Sequence, residues 1–318
     1  MRAVLGLDTS CYTTSAALAD AQSGEILASS RKLLAVAAGE RGLRQSEGLF
    51  QHIQNLPGRI EEVMRMAPDA EIAAVCASVR PRPAQESYMP VFRAGEGQAR
   101  AAAALLRVPF YPVSHQEGHV RAAIVDSGVD AGRPFLALHL SGGTTELLRC
   151  DAGKLTLLGG SLDLHAGQLI DRLGVRLGLP FPAGPELEKL AMRGSAQGRI
   201  GVSMKGLDCN LAGAENKAAR WIETGELPGE AVAAEIFDFV GRTILRQIAA
   251  ASEQTHCDQA LLAGGVASSS LLRDMLLRRA RKLRLPCKLH FARPELSGDN
   301  AVGVALLGAD ALRAQKEE

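Results

Sequence analysis

Two segments about half a chain apart repeat one pattern, an apolar run, a small polar turn and a second extended run. Leu5-Gly6-Leu7-Asp8-Thr9-Ser10 leads into Thr13-Thr14-Ser15, and Ala137-Leu138-His139-Leu140-Ser141-Gly142-Gly143 leads into Thr144-Thr145-Glu146. Strand, tight turn and strand recurring at that distance restrict the chain to a duplicated α/β architecture with a cleft between its halves. The boundary is expected near residue 130, giving an N-terminal half over 1–130 and a C-terminal half over 131–318. A chain of 318 residues lets both halves bury a core without disulfide staples.

Each half fills in as such a repeat requires. Extended runs over Ala3 to Asp8, Thr14 to Ala19 and Glu25 to Leu33 read as a meander, followed by a helix from Gln45 to Met66, a strand from Ile72 to Ser78, a helix over Gly95 to Leu106 and a strand at Phe110 to Val113. In the second half the same reading gives strands at Phe135 to Leu140, Thr145 to Cys150 and Leu155 to Leu158. Helices over His165 to Leu177, Pro185 to Met192 and Gly229 to Gln254 follow. Then come a strand at Gln259 to Leu262, a helix ending at Leu283, a strand at Cys287 to Phe291 and a closing helix from Ser297. The charged tail Ala314 to Glu318 is expected to fray.

Composition removes several classes of function. No apolar run approaches a membrane span, and Met1 leads straight into strand-like sequence rather than a signal peptide, so the protein is expected in the cytoplasm, away from membranes. The six cysteines show no Cys-x-x-Cys spacing, which argues against a zinc knuckle or a redox pair and for buried reduced thiols. A formal charge of +1 and 4% aromatic residues leave no global attraction to nucleic acid. Local arginines remain: Arg273, Arg278, Arg279, Arg281, Lys282 and Arg284 read as a solvated helix end or an RNA contact, and Arg80, Arg82 and Arg93 are further candidates for RNA.

His115-Gln116-Glu117-Gly118-His119 places two imidazoles four residues apart, on one face of a helix. With Asp299 they would make a two-His, one-carboxylate set that leaves metal positions free for a substrate. Taken by spacing alone the pair reads equally as structural histidines, and Asp299, followed by Asn300 at a helix mouth, as a ligand or as a helix cap. Asp8-Thr9-Ser10, Ser141-Gly142-Gly143 and Gly264-Gly265 are three small-residue turns, each after a strand; such turns bring phosphate to backbone amides or merely satisfy positive φ. The strand, Gly-Gly, helix order at residues 259–270 puts amides at a helix start, where they favour an anion. A metalloprotease is excluded, because a zincin has Glu directly after its first His and Gln116 stands there.

Taken in order, Gly6-Leu7-Asp8-Thr9-Ser10-Cys11, the His115 to His119 segment, Leu140-Ser141-Gly142-Gly143, Asp171, Phe181-Pro182-Ala183-Gly184-Pro185-Glu186, Ala263-Gly264-Gly265-Val266-Ala267 and Gly298-Asp299-Asn300 resemble the tRNA adenosine threonylcarbamoyltransferases over nearly the whole chain. That resemblance implies duplicated ribonuclease-H-like domains of the actin/Hsp70/sugar-kinase fold. It implies transfer of threonylcarbamoyl from threonylcarbamoyl-AMP to the adenosine beside the anticodon, with tRNA and partner subunits. It further implies a divalent ion, iron or zinc, on His115, His119 and Asp299. An adenylate (threonylcarbamoyl-AMP, AMP or ATP) would lie with its acyl phosphate against Leu140, Ser141, Gly142 and Gly143, and with ribose and adenine towards Asp171, Gly184 and Glu188.

The chain departs from that family in several places. Tyr12 and Thr13 stand where two acids are usual, Thr144 where a His is usual, and Ser269 where an Asn follows Gly264-Gly265-Val266. A longer stretch, Arg80-Pro81-Arg82-Pro83 on to Tyr88-Met89-Pro90, replaces a Gly-Pro-Gly turn, and His52 stands for a later His. Tyr12 reads as a substrate contact in the catalytic site or as a rim aromatic. Two readings follow: a divergent transferase, or a paralogue that uses another carbamoyl acceptor or serves as a nucleotide-binding partner subunit.

Overall fold

In a computed structural model the described residues are all but 11, 37–42, 85 and 318, with backbone only for 316 and 317. They divide into unit 1, residues 1–123 and 298–318, and unit 2, residues 124–297.

Unit 1 opens with the meander β1 (Arg2–Ser10), β2 (Thr13–Asp20) and β3 (Ile26–Leu33), followed by α1 (Gln45–Met66), β4 (Glu71–Arg80), α2 (Phe92–Leu106), β5 (Phe110–Ser114) and α3 (His115–Ile124). Its sheet runs β3-β2-β1-β4-β5, antiparallel through the meander and parallel from β1 to β4 to β5. Residues alternate across β1 as a two-sided sheet demands. Leu5 and Leu7 join the core shared with α1 and α2, while Val4 packs with Cys76 on the other face.

Unit 2 repeats the plan with β6 (Phe135–Leu140), β7 (Thr145–Asp151), β8 (Lys154–Gly160), α4 (Ala166–Arg176), α5 (Gly184–Ala191), the short hairpin β9 (Ser203–Lys205) and β10 (Asp208–Asn210), α6 (Ala212–Thr224), α7 (Gly229–Thr255), β11 (Gln259–Ala263), α8 (Ser270–Leu283), β12 (Lys288–Phe291) and α9 (Pro294–Ser297). The sheet order β12-β11-β6-β7-β8, with the same parallel and antiparallel pairs, reproduces that of unit 1 strand for strand. The duplicated α/β fold is therefore present. Leu136, Leu138 and Leu140 from β6 join Ile236, Val240 and Ile244 from α7 in a fully buried core, each large side chain contributing roughly 1.5–3 kcal/mol.

The chain ends in α10 (Val302–Glu317), which belongs with unit 1. Two expectations are corrected here. The division falls at 123/124 rather than 130, and Asp299 lies in unit 1 rather than with the C-terminal half, because the last segment crosses back. The helix runs through Glu317, and Glu318, the end of the tail expected to fray, lies outside the described residues. Small residues let α10 lie against the sheet: a Cβ on Gly6 would come within 2.4 Å of the Ala305 nitrogen, and one on Gly308 within 2.7 Å of the side chains of Cys76 and Val4. No helix among the described residues is long and apolar enough to cross a membrane.

Candidate functional site

The start of α3 is set by a reciprocal cap. The Glu117 amide donates to Ser114 Oγ at 3.2 Å and the Ser114 amide donates to the Glu117 carboxylate at 2.7 Å, a capping box readable from the Ser-x-x-Glu spacing. Glu117 is thereby committed to the backbone, and His115 and His119 face one way, their rings 4.3 Å apart and edge to face. Opposite them, α10 crosses α3 at backbone distance: a Cβ on Gly303 would lie 1.8 Å from the Gly118 carbonyl oxygen. That crossing brings Asp299, just ahead of α10, to 3.0 Å from His119 Nε2 and 3.6 Å from His115 Nε2. At the mouth of α10 it is Asn300 whose Oδ1 accepts from the Val302 amide, and Asp299 faces the two imidazoles.

Behind His115 stands Asp8. Its Oδ1 lies 3.1 Å from His115 Nδ1 and accepts from Ser78 Oγ, and its Oδ2 accepts from Ser10 Oγ at 2.6 Å. Asp8-Thr9-Ser10 is therefore no open phosphate turn, as its position in the repeat suggested; all three residues are buried at the end of β1. Burial works to raise the Asp8 pKa, but the charge and hydrogen bond of His115 and the two hydroxyls hold it below the usual carboxylate range. For His115, burial works downward and is overcome by the charge of Asp8 and the hydrogen bonds to Asp299 and Asp8, which push it up to about 10. Asp299 is likewise held well below its ordinary value, against burial, by His115 and His119.

These residues suit a divalent cation. One donor atom from each of His115, His119 and Asp299 falls within 4.8 Å of the others, and no other such group occurs among the described residues. Two imidazoles and one carboxylate suit iron or zinc with open positions, and Asp8 on Nδ1 is the outer partner that leaves Nε2 as the ligand atom. A cation there would take the place of the proton that His115 otherwise retains.

Unit 2 brings the other sequence candidates together. Leu140 is buried at the end of β6, and its carbonyl accepts from the Val266 amide at 3.0 Å. Gly264 has φ +98°, and a Cβ there would lie 2.3 Å from that same carbonyl oxygen, so the turn can only be glycine. In the β6–β7 turn, Ser141 Oγ accepts from the Gly143 amide at 3.3 Å, while added Cβ atoms on Gly142, Gly143 and Gly265 would meet nothing within 4 Å. The first turn of α4 closes on this turn, with Gly167 donating to the Ser141 carbonyl at 3.1 Å. Asp171 accepts from the Ala183 amide at 2.8 Å, at the entrance to α5 where Gly184 begins the helix. Its pKa is raised by burial against the opposing backbone hydrogen bonds of Ala183 and Gly184.

One turn along α5, Glu188 accepts from Ser270 Oγ and the Leu271 amide, both at 2.8 Å, and Ser269 caps α8 by accepting from the Leu272 amide at 3.1 Å. The helix after Gly264-Gly265 therefore starts at Ser270, and the anion at its mouth is the protein's own Glu188. Tyr12 is 44% exposed, and its carbonyl accepts from the Leu34 amide. The neighbouring Cys11 lies outside the described residues. The other five cysteines are free and buried. The arginine-rich helix end divides: Arg273 donates to the Ala267 and Ala292 carbonyls and Arg279 to Asp238, whereas Arg278, Arg281, Lys282 and Arg284 are exposed. Asp8, Ser78 and Gly303 are the site residues that spacing did not single out in these roles.

A family model of tRNA N6-adenosine threonylcarbamoyltransferases matches residues 50–306. The protein of that description from Methanopyrus kandleri is 31% identical over 290 residues, covering 90% of this chain and 81% of its own length. Its counterpart from Prochlorococcus marinus is 32% identical over 332 aligned positions, covering 98% of this chain and 90% of its own. A solved ROK family glucokinase from Streptomyces griseus, in complex with glucose and AMPPNP, is similar in fold, with a TM-score of 0.55 at 12% identity over 97% of this chain and 99% of that one. The fold is the actin/Hsp70/sugar-kinase one.

Proposed function

Because the chain belongs to the tRNA N6-adenosine threonylcarbamoyltransferase family, we propose that it transfers a threonylcarbamoyl group from threonylcarbamoyl-AMP to the exocyclic amine of the adenosine next to the tRNA anticodon. The observation that carries this reading is the donor set His115, His119 and Asp299 with Asp8 behind His115. In the reaction the amine nitrogen bonds to the carbamoyl carbon, the bond from that carbon to the phosphate oxygen breaks, AMP departs and the amine gives up one proton.

A divalent ion, iron or zinc, on those three donors would supply Lewis acidity and neutralise charge on the departing phosphate. Asp8 keeps the Nδ1 proton of His115 and so fixes its tautomer and ring orientation. In unit 2, the exposed Ser141-Gly142-Gly143 turn would lie against an acyl phosphate, with Leu140, Gly264 and Gly265 shaping that turn. Asp171, Gly184 and Glu188 serve the ribose and adenine, and Ser269 belongs to the same adenylate site. No side-chain nucleophile takes part. The tRNA acts together with partner subunits, in the cytoplasm. A nucleotide-binding subunit without chemistry has no use for a two-His, one-carboxylate set, which favours transfer over that alternative.

Incubating the purified chain with threonylcarbamoyl-AMP, an acceptor tRNA and partner proteins should give threonylcarbamoyladenosine, detected by mass spectrometry of the digested tRNA. Firm AMP binding without any transfer would overturn the proposal in favour of a binding subunit.

A further inference from the structure

We propose that Tyr88, backed by Arg93 and flanked by Arg82, is a stacking platform that seats an unpaired base of the RNA acceptor, a contact that rests on the reading above and extends it. Tyr88 is 63% exposed, and the Arg93 guanidinium carbon lies 5.5 Å from its ring centroid. Among the described residues it is the one exposed aromatic ring with a cation over it; the other three such rings, Phe110, Trp221 and Phe291, are buried or half-buried. Arg93 is itself held by Glu96 at 2.7 Å, so it braces one face of the ring.

The segment carrying Tyr88 is tied to the metal-ligand helix and to β1. The Gln116 amide donates to the Pro81 carbonyl at 3.0 Å, Thr9 Oγ1 donates to the Val91 carbonyl at 3.0 Å, and the Phe92 ring lies 6.0 Å from that of His115. Within the segment the Arg82 amide donates to Ser87 Oγ at 3.0 Å, beside Tyr88. Residues 80–93 hold three arginines against one glutamate. An acceptor adenosine must leave its stack to react, and an aromatic ring braced by a guanidinium offers it or its neighbour a replacement surface next to phosphate-pairing charge. With a formal charge of +1 overall, such local contacts have to supply what a general basic field does not.

The test uses the full chain and an anticodon stem-loop RNA with a fluorescent purine analogue scanned through the loop positions. The wild type should quench the analogue at one loop position. Tyr88→Ala should abolish that quench and weaken RNA binding on the order of ten-fold, Tyr88→Phe should retain both, and thermal melting should not change. Arg82→Glu should weaken binding and flatten its salt dependence. A Tyr88→Ala protein that binds and quenches like wild type overturns the platform, as does one that keeps RNA binding but loses a protein partner. Transfer that persists without any Tyr88 effect removes this inference alone; a Tyr88 effect on RNA without any transfer removes the transferase reading and leaves the platform.

Discussion

The two sheets share strand order and pairing, yet the ends of their first strands differ in kind. In unit 1 the end of β1 is closed: Asp8, Thr9 and Ser10 are buried, and the Asp8 carboxylate is consumed by Ser10, Ser78 and His115. In unit 2 the matching end of β6 is more open: Gly142 and Gly143 are exposed and a methyl added at either would meet nothing within 4 Å, although the Gly143 amide is already bonded to Ser141 Oγ. One scaffold thus supports two kinds of strand end. Burial and hydrogen bonds hold a charged side chain rigid at one strand end, while small residues leave the other exposed to solvent.

Gly303→Ala would break that comparison most severely, because its Cβ would fall 1.8 Å from the Gly118 oxygen and push α10 off α3. Chemical unfolding should show a loss of about 3 kcal/mol, with weaker metal binding, since Asp299 precedes α10.

Acid should act next. Burial, against the pull of Asp8, lowers the His52 pKa from 6.5 to about 4, and Thr14 Oγ1 lies 2.8 Å from its Nδ1. The unfolded chain takes up that proton first, so the stability from keeping His52 neutral is whole above about pH 6.5 and is lost as pH falls towards 4. Urea midpoints should drop by the equivalent of roughly 2–3 kcal/mol across this window. A His52→Gln variant with the same slope would rule His52 out as its source.

Asp8→Asn sharpens the contrast on the unit 1 side. It keeps the shape but not the charge behind His115, so zinc affinity read by competition with a chelator should fall roughly 10–100-fold. Gly142→Ala is the mild counterpart in unit 2: with open space for the methyl, unfolding should change by no more than about 0.5 kcal/mol. If it is strongly destabilising, the turn is not the open structure described.

Much of the architecture is legible in the residues where one face is apolar and the other polar. The helix at Gln45–Met66 has the bounds its periodicity predicts, and the repeated strand-turn-strand pattern gives the twin sheets. Where contrast is low the pattern falls silent. Helix α6 buries Ala214, Ala218 and Ala219 beside Trp221, small side chains that carry little periodic signal, and the three-residue strands β9 and β10 are too short to show alternation. The return of α10 to unit 1 is a matter of topology, resting on Gly6, Gly303 and Gly308, whose role is to be small. For Asp299, spacing leaves ligand and cap equal; in the fold the capping task goes to Asn300, whose side-chain oxygen accepts from the Val302 amide. Glu188 shows the opposite limit, since its bonds from the Ser270 hydroxyl and the Leu271 amide depend on a helix 82 and 83 residues away in sequence.

The central claim is that His115, His119 and Asp299 hold one ion. Elemental analysis of the purified chain and of Asp299→Ala, each after dialysis against zinc and then buffer, tests it most directly. The wild type should retain about one equivalent of zinc and the variant almost none. Equal zinc in both proteins, or none in either, would contradict it.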